Sequence, residues 1–332
     1  MTGQRMDSVC VVGRLAPSPT GAQHIGNART YLLAWLSARS QGGRLVLRIE
    51  DLDSPRVKPG ADRLAIEDLV WLGLDWDEGP DRPAQHAPYY QQQRIAWYQD
   101  ALDRLRKAEQ VYPCDCTRSE IAAAASAPHE STDGLVYPGT CRSRTTSDAS
   151  PSLEPYAWRF RVSDELLQIG DRIHGQVIYQ PARQLGDFVV ARHDWMPAYQ
   201  LAVVVDDHLM GITEVVRGDD LLPSAVRQTL LYRFFGWEPP NWVHVPLVVG
   251  PDGRRLAKRH GDTRLVTLRQ SGVPAERLIG LLAWSCGWLE HPEPMRAEEL
   301  LPLFRWDSLP KDAWVFREEH WRWLIDPAAH NL

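Results

Sequence analysis

The order of patterns over residues 9–50 constrains this chain more than any other feature. An apolar run at 9–15, with Gly13 and Arg14 near its end, has the character of a buried strand. The Pro- and Gly-rich loop APSPTGAQ leads into residues 25–39, where Tyr31, Leu32, Trp35 and Leu36 share one helical face. Gln41-Gly42-Gly43 ends that helix, because glycine takes the left-handed conformation that closes a helix without steric cost. RLVLRIE at 44–50 then reads as a second strand. Strand, helix and strand in direct succession form a βαβ unit, whose crossover demands parallel strands. The expected class is therefore α/β, built on a parallel sheet.

Further along, residues 62–72, 89–108 and 221–235 have helical spacing. Apolar runs at 198–205 and 242–249 read as strands, and helical patterns fill most of 275–332. Between 112 and 192 turn residues break the pattern, and 140–152 is rich in Ser and Thr. That stretch reads as an insertion within the α/β domain rather than part of its sheet. The expected division is 1–108 as the first half of the α/β domain, 109–195 as the insertion, 196–265 as the second half and 266–332 as a helical C-terminal region.

No apolar run approaches the ~18 residues of a membrane span. The start, MTGQRMDSV, lacks the apolar segment of a secretory signal, so the expected address is the cytoplasm, with no membrane partner. With a net charge of −6, any nucleic acid would be met by a local basic patch rather than by a global field. Five cysteines in 332 residues argue against a disulfide framework, and Cys10 and Cys286 read as core residues.

Three segments carry chemistry. The loop after the first strand opens a helix whose first turn holds His24, Ile25, Gly26 and Asn27. A helix start presents N–H groups without intrahelical partners and a partial positive charge, which suits a phosphate. His24 can add a side-chain donor there, and Gly26 lets a flat base or ribose come close. Neither the dinucleotide G-x-G-x-x-G nor the ending of a Walker loop is present. The second segment is the basic turn GRRLAKR at 253–259, directly behind HVPLVVG. In the third, Cys114-Asp-Cys116 is followed by Tyr137-Pro-Gly-Thr-Cys141. Three thiols are one ligand short of a tetrahedral zinc site, and spacing alone offers His129 as the fourth.

PSPTGAQHIGNART resembles the HIGH signature of class I aminoacyl-tRNA synthetases, in the form used by their glutamyl branch. LRIEDLDSPR (47–56) and AYQLAVVVDDHLMGITEVVRGDDLL (198–222) are similar to the same branch, and GRRLAKR is similar to its KMSKS loop. The resemblance runs from about residue 9 into the C-terminal helices. It implies a Rossmann-type catalytic domain of that class and ATP-dependent activation of L-glutamate, with Mg2+ accompanying the nucleotide. His24, Gly26, Asn27, Arg255 and Lys258 match ATP-binding positions, with His24 and Lys258 as the catalytic pair. Arg14, Ala16, Ser18, Glu50, Tyr199 and Arg217 match positions lining the glutamate pocket. By that resemblance the two arginines serve carboxylates, Glu50 the α-ammonium, and Tyr199 donates a hydrogen bond. The chain departs from the pattern at Arg255, which replaces the first lysine of the loop but keeps its charge, and at Ala257, which loses a hydroxyl. Gln200 stands where the branch often has asparagine.

The spacing C-x-C…Y-x-x-x-C resembles the zinc segment of the glutamyl-Q group within this branch. It implies Tyr137, rather than His129, beside Cys114, Cys116 and Cys141, holding one structural Zn2+ per chain. The chain also stops about 70 residues after Lys258, where other glutamyl enzymes continue into a large anticodon-binding region. Members of the glutamyl-Q group esterify glutamate to the queuosine base at the wobble position of tRNA(Asp). The expected partners are then L-glutamate and the tRNA(Asp) anticodon stem-loop with queuosine, and the expected state is a monomer. Two alternatives stand beside this: a short glutamyl-tRNA synthetase charging the 3′ end of tRNA(Glu), and a catalytically silent paralogue that binds RNA or a partner. The silent paralogue should have lost His24, Lys258 or Arg217, and all three are present.

Overall fold

The computed structural model of the chain describes residues 10–52, 55–124, 136–149, 156–192, 195–254, 256 and 262–326. Two units emerge: Met1–Tyr89, Ile212–Asp220 and Trp242–Leu332 form the first, and Tyr90–Gly211 with Leu221–Asn241 the second. The first opens with β1 (Val12–Leu15), α1 (Ile25–Ser40) and β2 (Arg44–Leu47). β1 and β2 pair in parallel, Val12 opposite Arg44 and Leu15 opposite Leu47, as the crossover requires. α1 is buried on almost every side, with Leu32, Leu33 and Leu36 fully enclosed. Each such leucine contributes about 2 kcal/mol of burial, which makes α1 the spine of this unit. Its buried cation, Arg29, donates to Ser285 Oγ (3.2 Å) and to the Pro246 carbonyl (2.8 Å). α2 (Ala61–Trp71) follows.

The second unit begins with a 3-10 turn at Gln91–Arg94 and α3 (Ile95–Lys107), so the helix expected at 89–108 starts later than its pattern suggests. Next come β3 (Val111–Cys114), α4 (Arg118–Ala124), β4 (Ala157–Phe160), β5 (Leu167–Asp171), β6 (Gly175–Tyr179), α5 (Pro181–Gln184), β7 (Phe188–Ala191) and α6 (Tyr199–Leu209). β4 pairs antiparallel with both β3 and β7, and β5 and β6 form a hairpin. The run at 198–205, expected as a strand, is α6. Leu201, Ala202, Val203, Val204 and Val205 are all buried, and an uninterrupted apolar run has no period that separates strand from helix. Asp206 closes the buried stretch, accepting from Gln91 Nε2 (2.8 Å), Arg94 Nε (2.6 Å) and Tyr98 Oη (2.8 Å).

The chain then supplies β8 (Glu214–Gly218) to the first unit and α7 (Leu222–Phe235) to the second. β9 (Asn241–Val245), β10 (Val248–Val249), α8 (Leu265–Gln270), α9 (Ala275–Ser285), β11 (Trp314–Val315) and α10 (Glu318–Ile325) complete the order. β9 neighbours β8, and β10 pairs in parallel with β11. At the entry to β8, Thr213 exchanges hydrogen bonds with Val12, N–H to Oγ1 and N–H to carbonyl, each 2.9 Å, which brings β8 beside β1. The C-terminal region carries less helix than expected: Pro292, Pro294, Pro302 and Pro310 interrupt it between α9 and α10. Cys286 is buried as expected, whereas Cys10, just ahead of β1, is exposed. Among the described residues no helix is long and apolar enough to cross a membrane.

Candidate active site and cysteine cluster

The turn into α1 is built by its own side chains. His24 is the N-cap, in extended conformation, and its Nδ1 accepts the Gly26 N–H at 3.1 Å. Asn27 Oδ1 accepts the His24 N–H at 3.1 Å, completing a reciprocal capping box. Because Nδ1 is an acceptor, a neutral His24 ring carries its proton on Nε2, which is then a donor. The Ile25 N–H donates to the Thr263 carbonyl at 3.1 Å. The backbone donors expected to be open at this helix start are thus already engaged by His24 and Thr263. Recognition of a phosphate here would fall to side chains. Gly26 leaves room for the capping ring, since a Cβ there would lie 2.9 Å from His24 Cε1 and would push that ring from its place.

Beside the turn lies a cavity of about 310 Å3 whose lining includes Ala16, Ser18, Gln23, His24, Asn27 and Tyr31. Gln23 and Tyr31 were not among the site residues expected from sequence. Tyr31 carried a usable signal: it lies four residues beyond Asn27 and seven beyond His24, on the same helix face. Tyr31 Oη donates to Gln23 Oε1 at 3.0 Å.

The amino-acid residues sit at the strand ends. Arg14, on β1 and 6% exposed, donates from Nη1 to the Val216 carbonyl at 3.1 Å. Arg217, next along on β8 and 4% exposed, donates from Nε to His244 Nε2 at 3.1 Å, and its guanidinium lies 4.9 Å from the Trp242 ring centre. The two arginines are therefore fixed on neighbouring strands near their carboxyl ends, the side of such sheets where ligands bind. Glu50 follows β2; its N–H donates to the Pro17 carbonyl at 3.0 Å, which ties it to the loop of Ala16 and Ser18. Its carboxylate pairs with the buried Arg48 at 3.1 Å. Tyr199 opens α6 in the second unit and is 38% exposed. Gln200 bonds Ser224 and Gln228 of α7 in that unit, at 2.9 and 3.1 Å.

Arg255, Ala257 and Lys258 lie outside the described residues. The flanks of their segment are placed, however. Val248 stands against Gly26 on one side, and on the other the Leu265 N–H donates to the Gln23 carbonyl at 2.9 Å, next to the Ile25–Thr263 bond. The described residues on both flanks of the basic segment thus lie beside the start of α1.

In the second unit, Cys114, Cys116 and Cys141 bring their Sγ atoms within 4.8 Å of one another. Tyr137 Oη lies 3.4 Å from Cys114 Sγ and 3.6 Å from Cys116 Sγ, and Cys116 and Cys141 Sγ are 3.5 Å apart. A tetrahedral zinc with Zn–S bonds of about 2.3 Å holds its sulfurs roughly 3.8 Å apart, so the four groups fit that ion with little adjustment. His129 lies outside the described residues. Arg159 Nε donates to Cys114 Sγ at 3.1 Å, and its guanidinium stacks 3.9 Å over the Tyr137 ring. Burial disfavours the Cys114 thiolate, but its hydrogen bonds with Tyr137 and Arg159 outweigh this and draw its pKa below the usual thiol range. Burial pushes the Cys141 thiol up to about 12, and burial with the neighbouring thiols raises the Tyr137 phenol too.

The family of class I tRNA synthetases (E and Q), catalytic domain, matches residues 10–323. A class I synthetase catalytic domain is thus the class of protein that fold and site define. A glutamyl-Q tRNA(Asp) synthetase from Symbiobacterium thermophilum is 50% identical over 309 residues, covering 90% of this chain and 94% of that protein. A glutamate–tRNA ligase 2 from Syntrophus aciditrophicus is 41% identical, over 96% of this chain and 66% of its own. A solved glutamate-tRNA synthetase from Elizabethkingia anophelis superposes with a TM-score of 0.80 at 30% identity, over 95% of this chain and 70% of that one. The chain belongs to this family of class I synthetases, in its glutamyl-Q group.

Proposed function

We propose that this chain is a cytoplasmic, monomeric ligase that activates L-glutamate with ATP and transfers it to the queuosine base at the wobble position of tRNA(Asp). The observation that carries this reading is the match to a glutamyl-Q relative at 50% identity across 94% of its length. In the first step the substrate carboxylate, already ionised, attacks the α-phosphorus of ATP in line, displacing pyrophosphate. Positioning and charge stabilisation then matter more than proton transfer. Arg14 and Arg217 each serve one carboxylate, Glu50 takes the α-ammonium, Tyr199 donates a hydrogen bond, and Ala16 and Ser18 line the loop beneath. His24 Nε2 and the cations Arg255 and Lys258 meet the phosphates, with Gly26 and Asn27 shaping the turn. ATP arrives as its Mg2+ complex. An arginine-lined pocket rejects glutamine, whose amide cannot replace a bidentate carboxylate. A structural Zn2+ would be held by Cys114, Cys116, Tyr137 and Cys141 and would tie 137–141 to the end of β3. The division of the chain into a split Rossmann-type domain (1–108 and 196–265), a zinc-bearing insertion (109–195) and a stem-contact region (266–332) belongs to the same proposal.

The deciding experiment follows labelled glutamate into tRNA(Asp) prepared with and without queuosine, beside tRNA(Glu). Labelling confined to queuosine-containing tRNA(Asp) is expected. Labelling of tRNA(Glu) at its 3′ end, or labelling indifferent to queuosine, would overturn the acceptor. Absence of glutamate-dependent ATP–pyrophosphate exchange would overturn the activation step itself.

A further inference from the structure

We infer that Tyr31 is a further substrate-binding residue, its hydroxyl accepting a hydrogen bond from the α-ammonium of glutamate where the nucleotide cavity meets the amino-acid residues. The inference rests on glutamate activation as proposed above. Tyr31 lines the same cavity as His24, Asn27, Ala16 and Ser18, two helical turns along α1 from the cap. Its hydroxyl proton is committed: Oη donates to Gln23 Oε1 at 3.0 Å, its one hydrogen-bond partner among the described residues. Gln23 is buried, 5% exposed, and its backbone carbonyl accepts the Leu265 N–H at 2.9 Å.

A phenol that has given its single proton to one neighbour engages any other group only as an acceptor. The ligand atom at this place must therefore be a donor. Three charged groups act on the hydroxyl: Glu50 and Asp68 with negative charge, Arg14 with positive charge. Of these Glu50 acts most strongly, and a carboxylate beside the hydroxyl favours a positively charged donor over a neutral one. Of the groups on ATP and glutamate, only the α-ammonium is both a donor and a cation. The same group is proposed for Glu50, whose N–H bonds the Pro17 carbonyl of the loop that also lines the cavity. Glu50 and Tyr31 would then hold the ammonium from two sides, a carboxylate and a phenol oxygen whose direction is set by Gln23.

Tyr31→Phe keeps the ring and removes the hydroxyl, and with it both the acceptor and the bond to Gln23 Oε1. In glutamate-dependent ATP–pyrophosphate exchange the variant should raise the glutamate KM about tenfold, the scale of one hydrogen bond to a charged group. Its kcat and its KM for ATP should stay within about twofold of wild type. Glutarate, which has both carboxylates but no ammonium, serves as the competing probe, and its inhibition constant should be the same in both proteins. A glutamate KM unchanged in the variant would overturn the role of Tyr31 while leaving activation intact. So would a glutarate constant that weakens in step with glutamate, because that marks a general disturbance of the pocket. Exchange absent from the wild-type chain overturns glutamate activation, and this role with it.

Discussion

The turn at the start of α1 and the cysteine cluster of the second unit are both small groups of polar atoms, but different forces hold them. His24 and Asn27 are three residues apart and close on each other's backbone, with N···N and N···O distances of 3.1 Å. Every bond in that box is a full-strength hydrogen bond made by the local chain, so the turn is organised before any ligand arrives. The cysteine cluster draws on the end of β3, the turn after it and residues 137–141; Arg159 Nε and the Cys141 N–H donate to Cys114 Sγ and Tyr137 Oη at 3.1 and 2.8 Å, and the remaining approaches, sulfur–sulfur and sulfur–phenol, are 3.4–3.6 Å. Thiols are weak donors and weak acceptors, so the approaches among sulfurs and phenol return little for the burial of Cys114, Tyr137 and Cys141. A divalent ion would replace them with coordinate bonds. The contrast teaches that a site encoded within one turn can separate binding from stability, whereas a site gathered from distant segments couples the two.

The largest effect tests the first half of that contrast. Lys258→Ala should slow glutamate-dependent exchange about 100- to 1,000-fold, as losing a group that stabilises transition-state charge does. Its thermal midpoint should match wild type; a matched fall in stability would mean that chemistry and folding are not separable here. At the cysteine cluster they should move together. Cys116→Ser should reduce bound zinc from about one per chain to near none and lower the midpoint by several degrees, read by elemental analysis and calorimetry. A zinc-free variant as stable as wild type would break the comparison. Asn27→Ala probes the capping box. It should cost about 1 kcal/mol, or roughly 2–4 °C, and speed hydrogen exchange in the first turn of α1 without altering the zinc content.

The smallest effect concerns Asp68, which is buried on α2 with Arg269 of α8 3.4 Å away. Burial lifts its carboxyl from 3.8 to about 6, against the attraction of Arg269. The folded chain therefore holds this proton more tightly than the unfolded chain. Its contribution to stability is whole below pH 3.8 and is lost as the pH rises through 6. Asp68→Asn should match wild type near about pH 3 and melt higher than wild type near about pH 7.5. A difference that does not widen between those conditions would remove Asp68 from the account.

Much of this molecule was legible because its signals are short in sequence. The βαβ unit needs only periodicity and a glycine stop, and β1, α1 and β2 stand where those signals put them. Cys114, Cys116 and Cys141 were likewise named by their spacing, and Tyr137 by the resemblance that spacing carries, and the fold gathers the four groups. The run at 198–205 was not legible, because a segment buried on all sides carries no period, and only its packing among buried neighbours makes it α6. Cys10 was misjudged for the opposite reason: a small sulfur residue is usually inside, yet position ahead of β1 leaves it exposed. Tyr31 escaped notice because an aromatic on an apolar helix face reads as core until a cavity is seen beside it.

By itself the sequence determined which groups this protein possesses: the capping histidine and asparagine, the cations of the basic turn, two arginines and a glutamate, and three thiols with a tyrosine. Those are properties of residue type and spacing, which the chain carries whether folded or not. Only the tertiary structure decided what each group is already doing. It spends the N–H groups of the α1 start on His24 and Thr263, pairs Glu50 with Arg48, and gives the one proton of Tyr31 to Gln23. Hydrogen bonds and burial between residues far apart in the chain fix the donors and acceptors that remain, and no reading of spacing contains that information.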